Sequence, residues 1–235
     1  MIARYTALLA GLDPVGSLAT PAADRVVWLS GRSEPGHGQL SPAQRRLVAE
    51  VAPAGFEVLE AAFPYHAGLT GVWQPAPLGA ASVRNTRQFV AARRDPAFRN
   101  QLVRHLSPLV ERTRRRLLVL CGSAGLELLL AALPDLPLHA RLRLGVVALG
   151  PVSRRPPSWL PVQVLQGRTD MISRLGYRGP AEAVPCGHLG YVTSPAVRAR
   201  LRLLAEEFAN DTAAAGRPTV QRPPQPADRD RPPPA

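Results

Sequence analysis

Three residues of this 235-residue chain have types and placements that could activate a hydroxyl group: Ser123, Asp170 and His188. Ser123 lies in Leu117-Leu118-Val119-Leu120-Cys121-Gly122-Ser123-Ala124-Gly125-Leu126. Four branched apolar residues read as a buried strand, and the run from Leu126 to Leu133 reads as a buried helix. The chain therefore turns from strand to helix within five residues, with Ser123 at the apex. Cys121 and Gly125 are small, as a close approach of strand and helix requires. Asp170 closes Gly167-Arg168-Thr169-Asp170 after the apolar run around Val162-Gln163-Val164-Leu165, and His188 sits in Cys186-Gly187-His188-Leu189-Gly190 after Ala183-Val184. A serine hydroxyl is a poor nucleophile until an imidazole takes its proton. The imidazole in turn needs a carboxylate to fix its tautomer and stabilise its charged form. Singly, the three motifs are also what a tight turn, a helix cap and a solvated loop histidine look like. Their joint occurrence at strand ends makes a nucleophilic set the better account.

Positioning such a set takes a sheet whose strands all point the same way. The first clear strand is Arg25 to Ser30, followed by a glycine-rich loop, Gly31 to Gly38. Ser41-Pro42-Ala43-Gln44 has the pattern of a capping box with proline at the first helical position, and Ala43, Leu47 and Val51 share a face. The next strand is expected at about Phe56 to Phe63. Strand, helix, strand in this order implies a right-handed crossover and a parallel pair. Helical pattern is expected from about Ser82 to Arg116, interrupted at Asp95-Pro96 and Ser107-Pro108, with Phe98, Leu102, Leu106 and Leu109 on one face. A strand follows at Leu142 to Leu149. A last helix starts at Ser194-Pro195 and turns Val197, Leu201, Leu204 and Phe208 towards the sheet. The fold class expected is α/β: a three-layer sandwich with a mostly parallel sheet of about six strands and helices on both faces. It occupies residues 1–211 and is followed by a disordered tail rich in proline and arginine, 212–235.

Cys121-Gly122-Ser123-Ala124-Gly125 resembles the nucleophile elbow of the α/β-hydrolase superfamily, which usually has Gly-x-Ser-x-Gly at this point. The chain order of serine, acid and histidine is also the order of that family. The resemblance covers about Arg25 to Asn210. It departs from the family in a missing pair of first strands, in a cysteine two residues before the serine, and in the absence of room for a lid domain between Leu149 and Pro161. It implies a serine esterase or thioesterase with Ser123, Asp170 and His188 as catalytic triad and no cofactor or metal. The oxyanion hole would take the amide of Ala124 and one from the loop after the first strand, where Gly31, Arg32 and Ser33 are the choices. Apart from the resemblance, the irregular apolar stretch from Pro64 to about Ala81 is read either as a roof over the site that brings Trp73 to substrate or as a surface loop pinned down by its own Trp and Leu side chains, and Trp159 is a second candidate for substrate binding.

Charge adds a separate consideration. The formal net charge is +12, and every basic residue is arginine. Ten arginines against Asp95 and Glu111 place a net +8 on the stretch from Ser82 to Arg116. This is read either as a solvated helix face or as a docking surface for an acidic partner such as an acyl carrier protein. No helix-turn-helix, RNA-binding sheet motif or aromatic-basic interleaving accompanies it, so nucleic-acid binding is not expected. Cys121 and Cys186 are read as buried thiols, and no cysteine and histidine spacing suits a metal. No run approaches a membrane span, and the first ten residues are too weakly apolar for a secretory leader, so a cytoplasmic protein is expected. The alternative to a hydrolase is a protein of the same fold without catalysis that binds a partner through its arginine-rich face.

Overall fold

The computed structural model describes residues 2–32 and 36–211. Ser33 and the expected tail, 212–235, lie outside the described residues. In chain order the elements are α1 (Ile2–Gly11), β1 (Ala22–Ser30), α2 (Pro42–Val51), β2 (Glu57–Leu59), α3 (Leu78–Arg94), α4 (Pro96–Glu111), β3 (Thr113–Gly122), α5 (Gly125–Ala132), β4 (Arg143–Leu149), β5 (Val162–Gly167), α6 (Met171–Gly176), β6 (Glu182–Val184) and α7 (Pro195–Asn210). The six strands form one sheet in the order β2-β1-β3-β4-β5-β6, and every neighbouring pair is parallel. Apolar residues alternate strictly across it, as the two-residue period of a strand demands. Val27 and Leu29 of β1, Leu117 and Val119 of β3, and Leu144 and Val146 of β4 face a core closed by α1, α3, α4 and α5. Val26, Leu118, Leu120 and Val147 face the opposite core, closed by α2 and α7. The result is an α/β three-layer sandwich. No helix among the described residues is long and apolar enough to cross a membrane.

The helix starts follow their local chemistry. Ser41 and Gln44 complete a capping box at α2, and Ser194 accepts from the Val197 amide at α7. Four elements differ from the sequence expectation. The arginine run does not continue the helix, because α4 ends at Glu111 and β3 begins at Thr113. Arg115 and Arg116 instead bond Asp24 of β1, at 2.5 and 2.8 Å, and this pairing overrides their helical propensity. Pro108 lies inside α4 and does not end it, since Phe98, Leu102, Leu106 and Leu109 bury one continuous face. β2 is only three residues long, because Ala61 leaves the ladder to bridge Gln39. Finally, the first residues form α1, whose Tyr5 and Leu9 are buried against the α3 and α4 side.

Candidate active site

β1 runs so close to the turn between β3 and α5 that only glycine fits at two positions. A Cβ on Gly125 would lie 2.0 Å from the Leu29 carbonyl oxygen, and one on Gly122 would lie 2.7 Å from the Trp28 ring. Between them Ser123 is held at φ 50°, a left-handed conformation that costs a serine about 1–3 kcal/mol. Two backbone bonds hold it there: the Ser123 amide donates to Leu149 O, and the Val152 amide donates to Ser123 O, both at 3.1 Å. Strain at this turn thus aims the serine side chain outward past the carboxyl ends of β3 and β4. Cys121, two residues earlier, points into the core on the α5 side, and burial pushes its thiol well above the usual range. Cys186 packs on the opposite core, and both cysteines are free.

Asp170 follows the end of β5 by three residues and is fully buried. It caps α6, with Oδ1 accepting from the Ser173 amide at 2.9 Å. Oδ2 accepts from the Tyr191 hydroxyl at 2.7 Å, while the same hydroxyl accepts from the Gly167 amide at 2.6 Å. Burial, then the bond to Asp170, raise the Tyr191 pKa far above the usual phenol value, so this side chain stays a proton donor to the carboxylate. The acid and histidine loops are tied together as well, since Thr169 Oγ1 donates to Cys186 O at 3.1 Å.

His188 bridges the two groups. Its Nδ1 lies 3.0 Å from both carboxylate oxygens of Asp170, and its Nε2 lies 3.3 Å from Ser123 Oγ. A proton on Nδ1, donated to the carboxylate, leaves the Nε2 lone pair facing the serine hydroxyl. The side chain is 20% exposed where Asp170 is 0% exposed, so the arrangement runs from the interior to the surface. The three residues named from sequence therefore meet at the carboxyl ends of β3, β5 and β6. Together they can pass the serine proton to an imidazole whose positive form is stabilised from behind.

The remaining candidates divide. Ala124 is buried at the start of α5, and its amide has no acceptor among the described residues. Gly31 follows β1, with the Asn85 side chain 2.8 Å from the position a Cβ would take. The Arg32 amide is already bonded: it donates to Gln88 Oε1 at 3.0 Å, and Gln88 Nε2 returns a bond to Arg32 O at 2.8 Å. In this structure Arg32 thus has no amide left for an oxyanion. Trp73 lies at the β2 edge of the sheet: its amide donates to Gln39 Oε1 at 3.2 Å, and it lines a groove with Arg45 and Glu60. Trp159 is half-buried against the core just before β5, at the end of the sheet away from Ser123. Among the described residues no three His, Cys, Asp or Glu side chains cluster as a metal site needs. Sequence reasoning passed over Tyr191, Ser173, Gln88 and Asn85. Tyr191 carried one weak signal, its position three residues after the candidate histidine. No protein-family model matches this sequence, and no curated protein matches it either.

Proposed function

We propose that this protein is a serine acyl hydrolase of the α/β-hydrolase type that cleaves an ester or thioester through an acyl-enzyme on Ser123. The observation that carries the reading is the continuous chain from Ser123 Oγ through both nitrogens of His188 to a buried Asp170, built on a serine held at positive φ. The sheet order is compatible with that family if its first two strands are absent. In the first step Ser123 Oγ attacks the carbonyl carbon and its proton passes to His188 Nε2. The carbonyl π pair moves to oxygen, where the Ala124 amide, with Gly31 as the choice for a second donor, stabilises it by a few kcal/mol per bond. Collapse of the tetrahedral intermediate breaks the bond to the alkoxide or thiolate, which leaves with the His188 proton. Water then repeats the sequence on the acyl-enzyme and releases the acid. Asp170 stays ionised throughout and stabilises the imidazolium.

The bonded Arg32 amide favours a second reading, a hydrolase fold that binds without catalysing. Its proposed docking surface is weakened by the arginines themselves. Arg93 pairs with Glu127, Arg104 donates to Ala10 O, Arg112 donates to Ala19 O, and Arg115 and Arg116 pair with Asp24. Labelling with a fluorophosphonate probe, read by intact mass, separates the two. The hydrolase gives one adduct on the wild type, none on Ser123→Ala, and labelling of His188→Ala slowed at least a hundredfold. A folded wild type without an adduct would overturn the proposal and leave the binding reading.

A further inference from the structure

Of the ten large apolar side chains exposed among the described residues, four fall between positions 171 and 189: Met171, Ile172, Leu175 and Leu189, each 55–68% exposed. The helix period groups the first three. Ser173 and Tyr177, four apart, turn inward and are buried, which leaves Met171, Ile172 and Leu175 on the outer face of α6. Leu189 joins them through the site itself, because it follows His188, Met171 follows Asp170, and the His188 Nδ1 lies 3.0 Å from the Asp170 carboxylate. α6 is also held beside the serine turn. The Ser153 amide donates to Gly176 O at 3.2 Å, and the Val152 amide donates to Ser123 O at 3.1 Å. The four side chains therefore flank the Ser123 and His188 pair. Apolar side chains gathered in one solvated place mark an interaction surface.

The charge around this patch has one sign. Residues 151–181 hold five arginines and one acid, Asp170, which is buried and bonded to His188. Arg154 pairs with Glu127, and the nearby Glu182 pairs with Arg200. The other four arginines have no acidic partner among the described residues. The side chains of Arg168 and Arg178 make no ion pair or hydrogen bond there, and those of Arg174 and Arg155 bond only the backbone carbonyls of Arg168 and Arg178, at 2.9 and 2.7 Å. All four are exposed. A backbone carbonyl takes one donor of a guanidinium group and leaves its charge uncompensated.

We infer that α6 and the histidine loop dock on an anionic lipid surface, with Met171, Ile172, Leu175 and Leu189 in the acyl boundary and the four arginines on headgroup phosphates. Helices that lie in a membrane interface combine an apolar face with a cationic border in this way, and sink about 5–10 Å into it. Guanidinium groups match phosphate with paired bonds, and attraction to an anionic leaflet adds to the apolar burial. A second copy of this chain fits the face less well, because a two-fold interface would set the same uncompensated arginines against one another. Protein partners are met through aromatic anchors, and none of the four exposed side chains is aromatic. Docked in this way, the Ser123 end of the sheet faces the bilayer, and an ester carried there reaches the serine without crossing bulk water. Docking itself needs no catalysis, so it stands apart from the hydrolase reading.

The test is sedimentation of the full chain, wild type and Ser123→Ala, with vesicles of phosphatidylcholine alone or with about 30% phosphatidylglycerol at about 0.1 M salt. Both proteins should bind the anionic vesicles at least about tenfold more tightly than the neutral ones, and added salt should shrink the difference. Ile172→Ser with Leu175→Ser, at two exposed positions, should weaken binding at least about tenfold. Arg168→Gln with Arg178→Gln should weaken it about twentyfold, near fivefold for each arginine. Arg114→Gln with Arg141→Gln removes the same charge at the amino ends of β3 and β4, the far end of the sheet, and should change binding less than about twofold. Equal losses from the two arginine pairs would mean attraction by net charge alone and overturn the inference. So would binding indifferent to Ile172 and Leu175, or no binding to anionic vesicles. A dimer in light scattering that the two serine substitutions turn into a monomer, or an acidic carrier protein bound in place of vesicles, would also reassign the face and overturn it. Fluorophosphonate labelling reads the hydrolase separately: a labelled protein that ignores vesicles keeps that reading and loses this one, and an unlabelled protein that docks does the reverse.

Discussion

Removing a single oxygen from Tyr191 probes how Asp170 is held. Tyr191→Phe keeps the ring that packs against Gly150, where a Cβ would lie 2.4 Å from that ring, so no cavity opens around it. Two bonds are lost together: the 2.7 Å bond to Asp170 Oδ2 and the 2.6 Å bond from the Gly167 amide. A hydrogen bond to a charged group contributes about 1.5–3 kcal/mol, and a buried amide left without an acceptor costs about 1–3 kcal/mol. The two overlap in one small region, so a loss of about 3 kcal/mol is expected, short of their full sum. With a urea dependence of about 2–3 kcal/mol/M, the unfolding midpoint should fall by about 1–1.5 M at unchanged slope. Ser173 and His188 still bond the carboxylate, so the histidine keeps its orientation and the fluorophosphonate labelling rate should fall only about tenfold. A midpoint within 0.2 M of wild type, roughly 0.5 kcal/mol, would refute the reasoning and reduce Tyr191 to a spacer.

Two further outcomes follow from other parts of the structure. Ser123→Gly should abolish labelling while raising stability by about 1 kcal/mol in urea unfolding, since glycine occupies positive φ without a Cβ penalty; a destabilised variant would show that the turn stores no strain. His105 is buried with its Nε2 2.8 Å from Leu9 O, and burial lowers its pKa below the usual 6.5. Below about pH 6.5 the unfolded chain takes up a proton that the folded protein refuses, so stability is complete above that pH and falls as pH drops towards the depressed folded value. From pH 7.5 to 5.5 the wild type should therefore lose more stability than His105→Gln, by at most about 1.4 kcal/mol, and equal losses would remove His105 from the account.

How much of this was legible follows residue by residue. β1, β3, β4 and β5 announced themselves because both faces of a central parallel strand are buried, which writes uninterrupted apolar runs such as Leu117 to Cys121. Ser123, Asp170 and His188 could be named because each stands in a short glycine-bearing turn at a strand end. The start of β3 was hidden, because Arg114, Arg115 and Arg116 look helical until Asp24, about ninety residues earlier, is placed beside them. α1 was passed over for a similar reason: its apolar face has no meaning without α3 and α4 to cover it. The partners around the site were harder still. A lone glutamine bonding the Arg32 backbone or a tyrosine bonding an aspartate depends on two loops or a loop and a helix meeting, and no local pattern encodes that.

The two cores are completed at different moments of synthesis. The helices that close the core on the α1 side precede or directly follow β3, so all of them have been made by the end of α5, before β4 and β5 add Leu144, Val146 and Val164 to that core. The core on the other side waits for α7, so Leu118, Leu120 and Val147 stay uncovered over much of their area while the last sixty residues of the described fold emerge. At about 5–20 residues per second that interval lasts several seconds. Throughout it the nascent chain presents a bare apolar sheet face to its surroundings, and the acid is added about a third and the histidine about three-fifths of the way through it. A ribosome-bound chain stopped before residue 188 would carry the serine turn without its base, and one stopped before α7 would also be a natural client for a chaperone.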